Sequence, residues 1–124
     1  MKFPEEFIEY LCKNTLTEIK GGTQRDKFLA IWLVNVDDRV FARSWNKSPR
    51  SWFTEILITG KGQIKYGDNL LNITGKKLDP DEAIHTKINN AYLKKYVQKE
   101  NITYAKGITQ SDYTNYTMEF FLND

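Results

Sequence analysis

Two spacings of apolar residues alternate along this chain, one helical and one of period two. Phe7, Ile8, Leu11 and Cys12 recur at helical spacing behind Phe3-Pro4-Glu5-Glu6, where a proline in the first turn and two acids suit a helix N-terminus. Cys12 falls on that stripe and reads as a small core residue. Thr15 to Lys20 alternates as a short strand, with Leu16 and Ile19 as its apolar members. Lys20-Gly21-Gly22-Thr23-Gln24-Arg25-Asp26-Lys27 follows as a basic loop. Phe28 to Val36 is the most apolar run, rich in β-branched and aromatic residues and too short for a helix. It predicts one central strand, buried on both sides. Asp37-Asp38 makes a tight turn and Arg39 to Trp45 returns as an antiparallel partner. Alternation puts Val40, Ala42 and Ser44 on one face and Phe41, Arg43 and Trp45 on the other. Arg43, between two aromatics, is expected to stack while its fork stays free for an anion.

Ser48 and Pro49 have the character of an N-cap and a first helical residue, and the helix they open shows Trp52, Phe53, Ile56 and Leu57 on one face before stopping at Gly60. Gln63 to Tyr66 and Leu70 to Leu78 form a second hairpin around Gly67-Asp68-Asn69. Asp79-Pro80-Asp81-Glu82 combines a cap, a proline and an acid three residues after the cap, and predicts a longer helix with Ile84, Ile88, Ala91, Tyr92 and Tyr96 buried. His85 lies one step off that face and reads as solvated. Asn101 to Thr114 reads as a loop, and Tyr116, Met118, Phe120 and Leu122 alternate as a last strand. Antiparallel hairpins with inserted helices argue an α+β fold. Mostly apolar strands in a single domain spanning residues 1–124 favour a sheet that closes into a barrel.

Composition narrows the chemistry. The 124 residues are 40% hydrophobic and 27% charged, ordinary for a globular protein. No run approaches the ~20 apolar residues of a membrane span, and no signal peptide is visible, so the expected location is the cytoplasm. One cysteine and one histidine exclude a Cys/His zinc site within one chain. The net charge of +2 is unevenly spread: residues 20 to 77 carry +6 and the flanks −4, which places an anionic partner near the middle of the chain. There Arg43, Lys47 and Arg50 gather with aromatics where a helix opens, a place to hold a phosphate.

The residues at this point resemble a known group. A Gly/basic loop precedes the apolar strand Ile31-Trp32-Leu33-Val34. An Asp-Asp turn, Arg43-Ser44-Trp45-Asn46, then Arg50-Ser51-Trp52-Phe53 and a hairpin ending in Gly67 follow. This order is similar to a family of short bacterial proteins of unknown function, itself related to the deazaflavin-dependent nitroreductases and, more distantly, to split-barrel flavin-binding proteins. The resemblance covers residues 15 to 122. It implies an antiparallel split β-barrel with a short inserted helix and a longer C-terminal helix, assembled as a homodimer, with FMN or a deazaflavin in a groove beside the barrel. The nitroreductases hold the cofactor's phosphate tail with a compact Gly-Arg-Lys-Ser-Gly turn; the matching loop here keeps glycine and Arg25 but not the basic run.

On that reading Arg25, Lys27, Arg43, Lys47 and Arg50 are phosphate candidates, Ser44 and Asn46 supply hydrogen bonds, and Trp45 and Trp52 line the ring. Trp52 also suits plain core packing. The flavin carries the redox chemistry, in keeping with a sequence that shows no catalytic triad, metal cluster or carboxylate pair. Two alternatives stand beside a flavin oxidoreductase: a non-catalytic module for another anionic or aromatic ligand, and a single-strand nucleic-acid binder, for which +2 is a low charge.

Overall fold

A computed structural model describes residues 2–22, 27–45 and 51–123. The chain runs α1 (Glu5–Lys13), β1 (Thr17–Gly21), β2 (Leu29–Ile31), β3 (Leu33–Val36), β4 (Arg39–Arg43), α2 (Trp52–Thr59), β5 (Lys61–Tyr66) and β6 (Asn69–Lys77). It continues with α3 (His85–Lys95), α4 (Ile102–Ile108), a 3-10 helix (Ser111–Tyr116) and β7 (Thr117–Leu122). The strands form one sheet in the order β2-β1-β5-β6-β7-β4-β3. Every neighbouring pair is antiparallel.

The two ends of that order, β2 and β3, are separated in the chain by Trp32 alone. One residue spans no more than about 3.6 Å. The sheet must therefore curl until its edges nearly meet, and the fold is the α+β barrel that the sequence pattern predicts, split as the family resemblance implies. The same observation corrects one expectation: residues 28 to 36 are not a central strand. They break at Trp32, and their halves form the two edges. Edge position does not mean exposure in a barrel, and Leu33 and Val34 are buried.

Alternation along β3 and β4 divides the core into two. Leu33, Val40 and Ala42 point inward to meet Ile19, Ile64, Ile73, Met118 and Phe120, together with Phe7 and Leu11 of α1 and Phe53 and Ile56 of α2. Val34 and Phe41 point outward, beneath Ile88, Tyr92 and Tyr96 of α3 and Ala105 and Ile108 of α4. Four local expectations are corrected. Cys12 is exposed: Phe3, Phe7 and Leu11 make the buried stripe, and the next residue lies about 100° round the helix. In β1 the inward residues are Thr17, Ile19 and Gly21, which leaves Leu16 exposed. Asp79 does not cap α3; its carboxylate accepts from the N–H of Asp81 in a turn, and the helix opens only at His85. Within 101 to 114 lie α4 and most of the 3-10 helix rather than a loop.

Helix α2 is capped by Ser51, whose Oγ accepts from the N–H groups of Phe53 at 3.2 Å and Thr54 at 3.4 Å. The cap is thus three residues later than Ser48, and Ser48 and Pro49 lie outside the described residues. Gly60 ends the helix with φ 74°, a left-handed conformation that glycine adopts without strain. Among the described residues no helix is long and apolar enough to cross a membrane.

Candidate functional site

Where β2 passes into β3 the barrel lacks ladder hydrogen bonds, and α3 supplies replacements. The Tyr92 hydroxyl donates to the Trp32 carbonyl and accepts from the Arg43 N–H, both at 3.0 Å. Lys95 Nζ donates to the Leu33 carbonyl at 2.6 Å, and the Tyr96 hydroxyl to that of Thr15 at 2.6 Å. The Tyr96 ring stacks on Trp32 with centroids 3.8 Å apart. Helix α3 is in effect a splint across the split, satisfying polar groups that the sheet leaves over.

The splint leaves a mark on the titration of its side chains. Burial pushes the Tyr92 phenol up to about 12, against the opposing pull of Arg43, and raises the Tyr96 phenol as well. Burial lowers the Lys95 ammonium to about 8, with Cys12 opposing. An unfolded lysine titrates near ~10.4, so between about pH 8 and 10 the unfolded chain holds more protons and stability rises with pH. The tyrosines have the opposite sign: their contribution is intact below ~10 and is lost as pH climbs through their raised values. The urea midpoint should therefore rise from pH 8 to 10 and fall beyond, and Lys95→Met should flatten the rise. A rise that survives in Lys95→Met would assign it to another group.

Away from the splint the seam widens into a cavity of about 490 Å³. Strand β2 gives one wall, Arg43, Ser44 and Trp45 the other, and Ser51, Trp52, Tyr104 and Ile108 complete it. All three tryptophans of the chain, Trp32, Trp45 and Trp52, line this one space. Trp45 lies parallel to Tyr113 at 5.7 Å and edge-on to Tyr104 at 5.6 Å. It rests over Gly107, where a Cβ would approach the indole to 3.1 Å. Trp52 serves both roles that its sequence position suggests: it packs against Phe53 and Phe120 and shows one side to the cavity.

Arg43 differs from expectation. It is only 3% exposed. Its fork, far from free, donates through Nη1 to Asn89 Oδ1 and, at 3.1 Å, to the Ile108 carbonyl, and through Nε to Thr117 Oγ1 at 2.9 Å. Nη2 lies 3.1 Å from His85 Nδ1. His85 is likewise buried rather than solvated. Its Nε2 lies 2.9 Å from the Asp79 carbonyl, which can only accept, so Nε2 carries the proton and Nδ1 accepts from Arg43. Desolvation lowers the pKa of the guanidinium from its ordinary value, while the Tyr92 phenol opposes that shift.

Of the residues proposed from sequence, Arg43, Ser44, Trp45 and Trp52 thus meet at the cavity. Ser44 Oγ reaches Ser51 Oγ at 3.3 Å. Lys27 is exposed and does not line it. Arg25, Asn46, Lys47 and Arg50 lie outside the described residues. Sequence reasoning missed Leu16, the β2 wall, Ser51, and Tyr104 and Ile108 from α4. The spacing of Ile102, Ala105 and Ile108 was the available signal for that helix.

The sequence matches, over residues 15–120, a family described as uncharacterised proteins conserved in bacteria, DUF2255. The chain belongs to this family. No curated protein matches the DUF2255 sequence. Its fold is similar to that of a Listeria innocua protein provisionally assigned as a pyridoxamine 5′-phosphate oxidase. The TM-score is 0.65 at 11% identity, covering 97% of this chain and 93% of that one. It is also similar to an FAD-binding protein from Mesorhizobium loti, with a TM-score of 0.60 at 10% identity and coverage of 96% and 87%. At such identities the likeness is one of fold.

Proposed function

We propose that this DUF2255 protein holds a flavin-type cofactor, FMN or a deazaflavin, in the seam cavity and acts in the cytoplasm as an oxidoreductase of the nitroreductase kind. The observation that carries the reading is the convergence of all three tryptophans on one cavity of about 490 Å³, in a barrel whose fold a protein described as FAD-binding shares. Cavities of roughly 300–1,000 Å³ with apolar walls and few polar groups suit small planar ligands. The described residues fit a ring. A phosphate clamp falls instead to Arg25, Lys47 and Arg50, because the Arg43 fork is engaged inside. A bound flavin supplies the redox chemistry, while this chain's residues stack on the ring, exclude water and set the charge beside it.

Titration with FMN, FAD and a deazaflavin should quench tryptophan fluorescence to saturation, and Trp45→Ala should weaken binding about ten-fold by removing an aromatic face. No quenching by any of the three would end the flavin reading. Weak dependence on salt would separate it from single-strand binding, which falls steeply. Leu16, Leu29, Trp45 and Tyr104 leave the cavity rim apolar, at 51, 56, 41 and 52% exposure, and a second copy covering them makes the protein a homodimer. Sedimentation of the same samples would reveal a monomer if that is wrong. The inward fork of Arg43 favours one second reading, a non-catalytic module for another aromatic or anionic ligand, in which such a compound binds and the flavins do not.

A further inference from the structure

We infer that the seam cavity selects aromatic ligands bearing negative charge, an aromatic carboxylate being the simplest of that class. The inference rests on the same cavity as the flavin reading, but its ground is electrostatic and independent of any cofactor.

Two arginines lie on one face of β4, and the fold treats them differently. Arg39 meets the Glu119 carboxylate in two parallel bonds, at 2.9 and 2.8 Å. Arg43 has Thr117 as its partner on β7, where a carboxylate would neutralise it. All four of its side-chain acceptors are neutral: an amide, a carbonyl, a hydroxyl whose own proton goes to Tyr113, and the imidazole Nδ1 of His85. Such dipoles hold a guanidinium in place without cancelling its charge.

That charge borders a space walled mostly by aliphatic and aromatic surface, with Ser44 and Ser51 as its small polar members, and none of the described lining residues is acidic. The N-terminus of α2 stands at the same end, with Ser51 as its cap, and adds positive potential. Apolar walls screen a field far less than water does, so the uncompensated charge of Arg43 biases the cavity toward anions. Because the fork is fixed by internal partners, Arg43 acts through its field and needs no direct bond to the ligand.

The test uses the full wild-type chain and two probes of matched shape, 2-naphthoate and 2-naphthamide, compared by calorimetry. The indole N–H signals of the three tryptophans report whether binding is in the cavity. The naphthoate should bind more than about ten-fold tighter and shift those signals. Arg43→Gln should abolish the preference and Arg43→Lys should keep it; if these variants fail to fold, the wild-type pair decides alone. Equal binding, a preference for the amide, binding that leaves the indole signals unmoved, or no binding of either probe would overturn the inference. A parallel FMN titration separates the two proposals. FMN binding without naphthoate binding leaves the cofactor reading standing alone, whereas naphthoate preference without flavin binding leaves only this one.

Discussion

Arg43→Ala should destabilise the protein by about 3–5 kcal/mol, the scale seen when a buried charged group loses its bonded partners. The substitution strands four acceptors on three separate elements. The Asn89 amide and His85 Nδ1 belong to α3, the Ile108 carbonyl to α4 and the Thr117 hydroxyl to β7. Each buried group left without a donor costs about 1–3 kcal/mol, although neighbouring losses do not simply add. A surface anion clamp would behave differently, losing ligand and little stability. Arg43→Lys should recover only part of the loss, since three donors on one point cannot span the places that the guanidinium reaches. Urea unfolding followed by fluorescence measures this, and a loss under about 1 kcal/mol would show that the fork is not held as described.

Leu33→Ala is expected to cost about 2–5 kcal/mol, the range for a fully enclosed leucine that leaves a cavity behind. Leu33 is 0% exposed even though its strand ends the hydrogen-bonded order. Ile31, two residues earlier, is only partly buried and borders the open cavity, so Ile31→Ala should cost clearly less. The comparison tests closure itself. In an open sheet both positions would lie on edges and behave alike, and an Ile31→Ala loss equal to that of Leu33→Ala would count against the closed barrel.

Much of the frame is legible in local chemistry. The Asp37-Asp38 and Gly67-Asp68 turns, the Gly60 stop and the alternation of β4 and β7 all follow from residues within a few positions of one another. What escapes is set by distant partners. Phe28 to Val36 looks like a central strand because both faces are apolar, and the local pattern is the same whether burial comes from flanking strands or from a sheet closing on itself. Arg43 reads as a surface cation because its side-chain acceptors lie 42 to 74 residues further along the chain. Arg43, Ser44, Trp45 and Trp52 could be nominated together because they occupy one stretch. Tyr104 and Ile108 lie some fifty residues further on, in a helix of only 7 residues that contains Gly107 and has a sparse apolar stripe.

The one-residue link at Trp32 makes the cavity a wedge. Strands joined through a single residue cannot separate at that end. The two jaws also differ in stiffness. Strand β2 is held to its neighbour by three residue pairs, whereas β4 is paired on both sides. A molecule entering between them therefore meets a loosely tied wall on the β2 side and a firmly tied one on the β4 side.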